Sequence, residues 1–255
     1  MGTFIHIKTQ GIKNYIAVTE KPFGKVLALE KKLSLHRFSF VKQYKMSEIF
    51  FDTPNDLLSK AGIVVSKTIT PEKAYFKVER QSFSLKQLSR LKETIFIHEV
   101  GPRDSVADHA FFLVDGIKAL FTTQFTIDLE NVLKNLQPII TVNSVMQEWN
   151  VLSGGGFKCK IFYKSSKITN IETKRKNEFK SMRLELDCAE TYLPAFDYLV
   201  DQIDKNCKDF VINTESLFDY CLRLTKPLPE KKKLTREEKL ALKQKAKKAE
   251  ESIQG

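Results

Sequence analysis

Several stretches of the chain alternate between apolar and polar side chains, which is the period of a β-strand with one buried face. Residues 74–80 (AYFKVER) place Tyr75, Lys77 and Glu79 on the face opposite three small or apolar side chains. The same alternation recurs at residues 27–35, 157–164 and 182–188, and shorter strands are predicted at 62–69 and 138–146. The pattern therefore predicts a set of strands that each have one apolar and one charged face.

Helices are predicted between these strands, where apolar residues recur with a longer period. They are expected at 55–60, 84–94, 129–136, 193–206 and 214–225, the last of them capped by Asn213 or Thr214. Three consecutive glycines at 154–156 predict a loop. Because strands dominate and helices lie between them, the sequence predicts an α+β fold.

The charged strand faces have two interpretations. In an open sheet they meet water, as polar faces of antiparallel sheets commonly do. In a closed antiparallel barrel the helices cover the apolar faces, and the charged faces point into a wet lumen. The alternation alone is compatible with both arrangements.

Composition adds a bias towards anionic partners. The chain has 255 residues with 42% hydrophobic and 29% charged side chains, which is ordinary for a globular protein, and a formal net charge of +11. A Lys-rich chain also reaches this charge without any anionic partner. The four cysteines match no C-x-x-C pair, and they predict reduced thiols and a reducing compartment. With no apolar run long enough to span a bilayer, the sequence predicts a cytoplasmic protein.

A compositional boundary separates residues 1–225 from a Lys-rich tail, residues 226–255. The tail contains nine Lys and one Arg against five Glu, so it supplies about +5 of the net charge. Residues 235–238 (TREE) resemble a capping box and predict a polar helix that continues to about Glu251. This helix is interpreted either as a solvated element, as an arm for an RNA or protein partner, or as a membrane attachment.

The segment at residues 48–65 (EIFFDTPNDLLSKAGIVV) resembles the CYTH family, also called triphosphate tunnel metalloenzymes. In that family an aromatic pair, Asp-Thr-Pro, a short helix and a Gly-led strand follow one another in this order. Weaker similarity is present at 28–32, 136–142 and 183–187, in the family's order along the chain. The resemblance implies an eight-stranded antiparallel tunnel with flanking helices. It also implies a triphosphate-bearing substrate bound by basic side chains, and a divalent cation held by glutamates.

The chain departs from the family's pattern at several of the positions that carry its chemistry. The first Glu of the opening E-x-E-x-K strand is Ala28. The paired arginines of the Gly-led strand fall on Ser66 and Thr68, with Lys67 directed outward, and a later basic pair falls near Asn143 and Val145. The late E-x-E strand is matched by Arg183-x-Glu185 or by Glu185-x-Asp187. About half of the family's functional side chains are therefore missing.

The remaining charged side chains define the candidate site. The predicted phosphate-binding residues are Lys32, Lys77, Lys158 and Lys160. The predicted ligands for Mg²⁺ or Mn²⁺, which favour carboxylate and water oxygens, are Glu30, Glu185 and Asp187. In the alternative interpretation, these lysines and carboxylates pair with one another as a structural network. No catalytic residue is identified.

Together these features predict a CYTH-like tunnel protein that is catalytically degenerate, a pseudoenzyme. It would bind a phosphate-rich ligand such as a nucleotide, a polyphosphate or RNA, as a binding or scaffold protein. Two alternatives remain open. One is a divergent Mg- or Mn-dependent triphosphatase, acting on tripolyphosphate or on a nucleoside or RNA 5′-triphosphate. The other is an RNA-binding protein or ribonucleoprotein subunit with a purely structural barrel.

Overall fold

A computed structural model describes residues 2–7, 11–17, 33, 35–80, 93–120, 128–213 and 215–225. The Lys-rich tail, Glu30, Lys32 and most of the predicted strand at 27–35 lie outside the described residues. Ten strands are described: β1 (Thr3–Ile7), β2 (Ile12–Ala17), β3 (Arg37–Asp52), β4 (Ile63–Ile69), β5 (Ala74–Arg80), β6 (Glu93–Val100), β7 (Gln137–Leu152), β8 (Lys158–Asn170), β9 (Lys176–Leu186) and β10 (Phe210–Ile212). The described residues also contain five α-helices: α1 (Leu57–Lys60), α2 (Ala110–Leu120), α3 (Leu129–Lys134), α4 (Leu193–Asn206) and α5 (Leu217–Thr225).

The strands form one antiparallel sheet in the order β1-β6-β5-β4-β3-β7-β8-β9-β2-β10. The predicted α+β class is thus confirmed, with ten described strands where the resemblance implied eight. Among the described residues, β1 and β10 are edge strands that do not pair with each other. The sheet is therefore not closed by the pairings of this part of the chain, and the barrel stays a prediction.

The strands predicted from alternation at 62–69, 74–80, 138–146, 157–164 and 182–188 are all present. The longest missed strand is β3, which has 16 residues and a register shift between Phe40 and Lys42. A β-bulge breaks the two-residue period, so no long alternating run is visible in the sequence. The short strands β1 and β2 and the strand β6 were also not predicted.

Two predicted helices match closely, α3 within 129–136 and α4 at 193–206. Most of the helix predicted at 84–94 lies outside the described residues, which resume at residue 93. Residues 93–94 belong to β6, so the predicted end of that helix was wrong. The last helix begins at Leu217, where the Ser216 hydroxyl accepts a hydrogen bond from the Asp219 N–H at 3.1 Å. Asn213 instead accepts a bond from the Glu215 N–H, and Thr214 is not described.

Helices cover the outer face of the sheet in two places. Helix α4 buries Phe196, Leu199 and Ile203 in one core cluster, together with Trp149 and Leu184 from the sheet. Helices α2 and α3 pack on β4, β5 and β6 in a second cluster, which includes the fully buried side chains Leu113, Ile117, Leu133, Val65 and Phe76. Within the described part of the chain, no helix is both long enough and apolar enough to cross a membrane.

Candidate functional site

The opposite face of the sheet, here called the inner face, carries a row of polar side chains. The antiparallel register places Glu48 beside Thr68, and Ser66 beside Lys77, on the same face. The same face continues through Lys164 on β8 to Arg183 on β9. Successive side chains of a strand alternate between faces, so the charged faces predicted for residues 74–80, 157–164 and 182–188 all lie on the inner face. These pairings also fix the registers of residues 74–80 and 182–188, which the alternation alone does not determine.

Helix α5 covers one end of the inner face with apolar side chains. Phe218 packs against Phe50, with 5.3 Å between the ring centroids, and Cys221 lies in the same cluster with Ile140 and Ile168. Glu48 is two residues before Phe50 on β3 and on the same face. The polar part of the inner face therefore begins where the apolar contact with α5 ends.

An ion cluster centred on Lys77 forms the middle of the polar face. Its ammonium lies 3.0 Å from a carboxylate oxygen of Glu48 and 3.3 Å from one of Glu79. Burial alone would raise the pKa of Glu48, but Lys77 and Lys164 together bring that pKa below its usual value. Burial opposes the charge of Lys77, yet Glu48 and Glu79 raise its pKa. Glu48 and Lys77 therefore both stay ionised at ordinary pH.

Lys164 lies on the same face, on β8. It is half-buried on the inner face, and it forms none of the ion pairs found among the described residues. Burial lowers the pKa of Lys164, the charge of Glu48 raises it, and the charges of Lys77 and Arg183 lower it, with a lowered pKa as the result. An anion that reached this ammonium would be its direct ion-pair partner.

A second group of ion pairs lies on β8 and β9. Arg183 Nε lies 2.5 Å from Glu185 Oε1, and Lys160 Nζ lies 3.3 Å from Asp187 Oδ2. Their side chains are between 32% and 47% exposed, so these pairs are accessible to solvent. Lys158 is exposed at the start of the same strand face. These contacts match the structural-network alternative for the lysines and carboxylates.

The described carboxylates do not fit a metal site as they stand. Glu185 and Asp187 are each held by a basic side chain, and Glu30 lies outside the described residues. Across the part of the chain that the structure describes, no group of three His, Cys, Asp or Glu side chains is arranged to hold a metal ion.

The predicted phosphate-binding lysines differ in their exposure and in their contacts. Lys77 is on the inner face but is already contacted by two carboxylates, and Lys160 is paired with Asp187. Lys158 is exposed, and Lys32 is not described. The residue that the prediction left out is Lys164, although it continues the alternation of Lys158, Lys160 and Phe162. Lys164 lies on the charged face of the predicted strand at 157–164, so the alternation of that strand identifies it.

Glu48 was also missed, because it precedes the aromatic pair in a segment that was interpreted only as a family resemblance. The departures noted on β4 are confirmed in position. Ser66 and Thr68 face inward, whereas Lys67 faces outward and donates to the carbonyl oxygens of Pro102 and Asp104 at 3.1 and 2.5 Å. The inner face of β4 therefore offers hydroxyls in place of guanidinium groups.

The positions predicted for the family's later basic pair are one residue out of register with the inner face. Asn143 and Val145 lie on the outer face, and the inner position between them is Ser144, whose hydroxyl is 2.8 Å from that of Ser166. Both serines are buried. A hydroxyl pair thus stands on β7 and β8 where the resemblance implied basic side chains.

The Asp-Thr-Pro motif serves the backbone. Asp52 accepts hydrogen bonds from the N–H groups of Thr53, Leu58 and Ser59, at 2.7, 2.9 and 3.0 Å. The Thr53 hydroxyl accepts a fourth from the Leu57 N–H at 2.9 Å. These bonds satisfy the free N–H groups at the start of α1. The Asp-Thr-Pro part of the family-like stretch therefore fixes the junction of β3 and α1.

No protein-family model matches the sequence, and no curated protein matches it. Among solved structures, the chain is similar to a candidate adenylate cyclase from Bacillus halodurans, with 12% identity, 84% of this chain and 97% of the other covered, and a TM-score of 0.47. It is also similar to a candidate adenylyl cyclase from Hippeastrum with a dominant triphosphatase activity. The identity is 11%, the match covers 86% of this chain and 97% of the other, and the TM-score is 0.45. Identities this low concern the fold alone.

Proposed function

We propose that this chain is a CYTH-like pseudoenzyme that binds a phosphate-rich anion, such as tripolyphosphate or a nucleoside triphosphate, on the inner face of the sheet. The observation that carries the proposal is Lys164, a half-buried ammonium on a polar face that forms no ion pair among the described residues. A buried charge without a partner is costly, and an anionic ligand removes that cost.

The surroundings of Lys164 suit an oxygen-rich ligand. Ser166 is two residues away on the same face, and the solvent-accessible pairs Arg183–Glu185 and Lys160–Asp187 lie on the same two strands. Phosphate oxygens accept hydrogen bonds from both lysine and arginine. The lysine ammonium acts as a point charge, whereas the planar guanidinium of arginine can donate two parallel hydrogen bonds. A ligand phosphate therefore competes with Glu185 and Asp187 for these cations.

Efficient hydrolysis is not expected from the same face. Phosphoryl transfer relies on positioned cations or metal ions that neutralise charge in the transition state. Ser66 and Thr68 replace arginine on β4, and the described carboxylates Glu185 and Asp187 already hold basic side chains. The function that follows is binding, with catalysis lost.

The first test is calorimetric binding of tripolyphosphate at low ionic strength, comparing the wild type with Lys164→Gln. We expect the substitution to weaken binding by about tenfold or more, because it removes the charge of an ammonium that forms no ion pair among the described residues. The matched control is Lys45→Gln, which removes a lysine exposed on the outer face of β3 and should change the affinity by less than about twofold. Equal losses in the two variants would contradict the proposed site.

A second measurement separates binding from catalysis. Phosphate release from tripolyphosphate and nucleoside triphosphates is followed with Mg²⁺ and with Mn²⁺, for the wild type and Glu185→Ala. We expect no turnover by either protein. Metal-dependent turnover that Glu185→Ala abolishes without unfolding would instead establish a divergent triphosphatase that uses Glu185 as a metal ligand.

A further inference from the structure

We infer that Glu48 is an internal counter-anion that weakens the binding of phosphate-rich ligands, an inference that rests on the function proposed above. Its carboxylate is buried on the inner face between two lysines, one of which it contacts directly. A ligand phosphate at Lys164 must therefore come close to a fixed negative charge. Glu48 thus sets how tightly the site binds an anion.

The charges of this cluster balance without a ligand. Lys77 and Lys164 contribute two positive charges, and Glu48 and Glu79 contribute two negative ones. Glu48 has a side chain that is only 7% exposed, so water screens its charge little. A site with no net charge attracts a polyanion weakly, although it contains two lysines.

The two carboxylates of the cluster are not equivalent. Both contact Lys77, but Glu48 is on β3, two strands from the β8 strand that carries Lys164, whereas Glu79 is on β5, four strands from β8. Removing the charge of Glu48 therefore leaves Lys164 unopposed while Glu79 still holds Lys77. Removing the charge of Glu79 leaves Glu48 beside both lysines. This difference makes Glu79 a matched control for Glu48.

The test measures tripolyphosphate affinity by calorimetry for Glu48→Gln, Glu48→Asp and Glu79→Gln. Neutralising Glu48 should tighten binding by about tenfold or more, since a unit charge a few ångströms away in a partly buried site has that effect. Glu48→Asp keeps the charge and should stay within about threefold of the wild type. Glu79→Gln should tighten binding less than Glu48→Gln does. Thermal unfolding by circular dichroism verifies that each variant is folded.

Should Glu48→Gln fail to fold, the double variant Glu48→Gln/Lys77→Met decides the question. It removes both members of a buried ion pair, a change that proteins tolerate better than removal of one partner. Because the pair contributes no net charge to the ligand, the double variant should bind tripolyphosphate at least as tightly as the wild type. Weaker binding would overturn the inference.

The failure of this inference is distinguishable from the failure of the proposed function. One outcome would overturn the role of Glu48 and leave the binding site standing. In that outcome the wild type binds tripolyphosphate, Lys164→Gln binds it more weakly, and a folded Glu48→Gln binds it no more tightly than the wild type. If no protein in the series binds tripolyphosphate, the proposed function itself is overturned.

Discussion

At the scale of single residues, the outer face carries a second group of titratable side chains. His98 is 4% exposed, and its Nε2 lies 3.0 Å from Nδ1 of His109, whose Nε2 lies 3.0 Å from Asp104. Because the carboxylate accepts from His109, the remaining nitrogen of His109 accepts from His98. This leaves the other nitrogen of His98, Nδ1, buried without a hydrogen-bond partner.

This arrangement predicts that acid destabilises the protein through His98. Burial and the neighbouring His109 lower the pKa of His98, so the folded protein resists the proton that the unfolded chain takes up near pH 6.5. The stability due to neutral His98 is present above that pH and is lost as the pH falls below it. The melting temperature should therefore fall less between about pH 7.5 and about pH 5 in His98→Gln than in the wild type. An identical fall in both proteins would contradict the assignment.

At the scale of elements, the connection between β3 and α1 depends on one carboxylate. Asp52 is 1% exposed and accepts three backbone hydrogen bonds. Its removal leaves N–H groups at the start of α1 without a partner, two of which belong to Leu58 and Ser59. The short helix has few other contacts that could compensate, since Leu58 is its one buried residue.

We expect Asp52→Ala to lower the free energy of unfolding by about 2–4 kcal/mol, as measured by urea denaturation. The control is Asp56→Asn at the same turn. Asp56 makes no side-chain capping bond and has a φ of 55°, a conformation that asparagine tolerates. That control should change stability by less than about 0.5 kcal/mol. A loss of similar size in the two variants would show that Asp52 is not the cap.

Strands and helices were predictable from the sequence where the periodic pattern of apolar and polar side chains is uninterrupted. Residues 74–80 and 182–188 alternate cleanly, and both the strands and the inward direction of Lys77 and Glu185 follow from that. Helix α2, in contrast, has apolar side chains almost all around (AFFLVDGIKAL), so it shows no helical stripe. Its tertiary contacts with the sheet, through buried residues such as Leu113 and Ile117, determine which face is covered.

At the scale of the whole molecule, charge is distributed unevenly along the chain. The tail after residue 225 supplies about five of the eleven net positive charges, and it lies outside the described residues. The division of the chain at residue 226 stays a prediction. A flexible or helical basic arm binds polyanions through phosphate contacts whose strength depends on salt.

Deletion of residues 226–255 therefore tests whether the tail or the sheet attracts polyanions. We expect the deletion to weaken binding of single-stranded RNA and to flatten its dependence on salt, because fewer counterions are released. Tripolyphosphate binding should be retained, since Lys164 and its neighbours belong to residues 1–225. RNA affinity is measured by fluorescence anisotropy over a series of salt concentrations. An unchanged affinity and salt slope would assign no role to the tail in RNA binding.

The local pattern was sufficient for the fold class, for most strands of the polar face and for the direction of their side chains, because the two-residue period of a strand depends only on backbone geometry. The family resemblance, and not the alternation, singled out Ser66 and Thr68 as the positions where the family has arginines, and both face inward. Only the tertiary structure decided which charges neutralise one another. Glu48 and Lys77 are separated by 29 residues and meet through the pairing of β3, β4 and β5, and the same packing leaves Lys164 without an ion pair among the described residues. Charge compensation depends on distances of a few ångströms across strands, and no spacing along the chain encodes those distances.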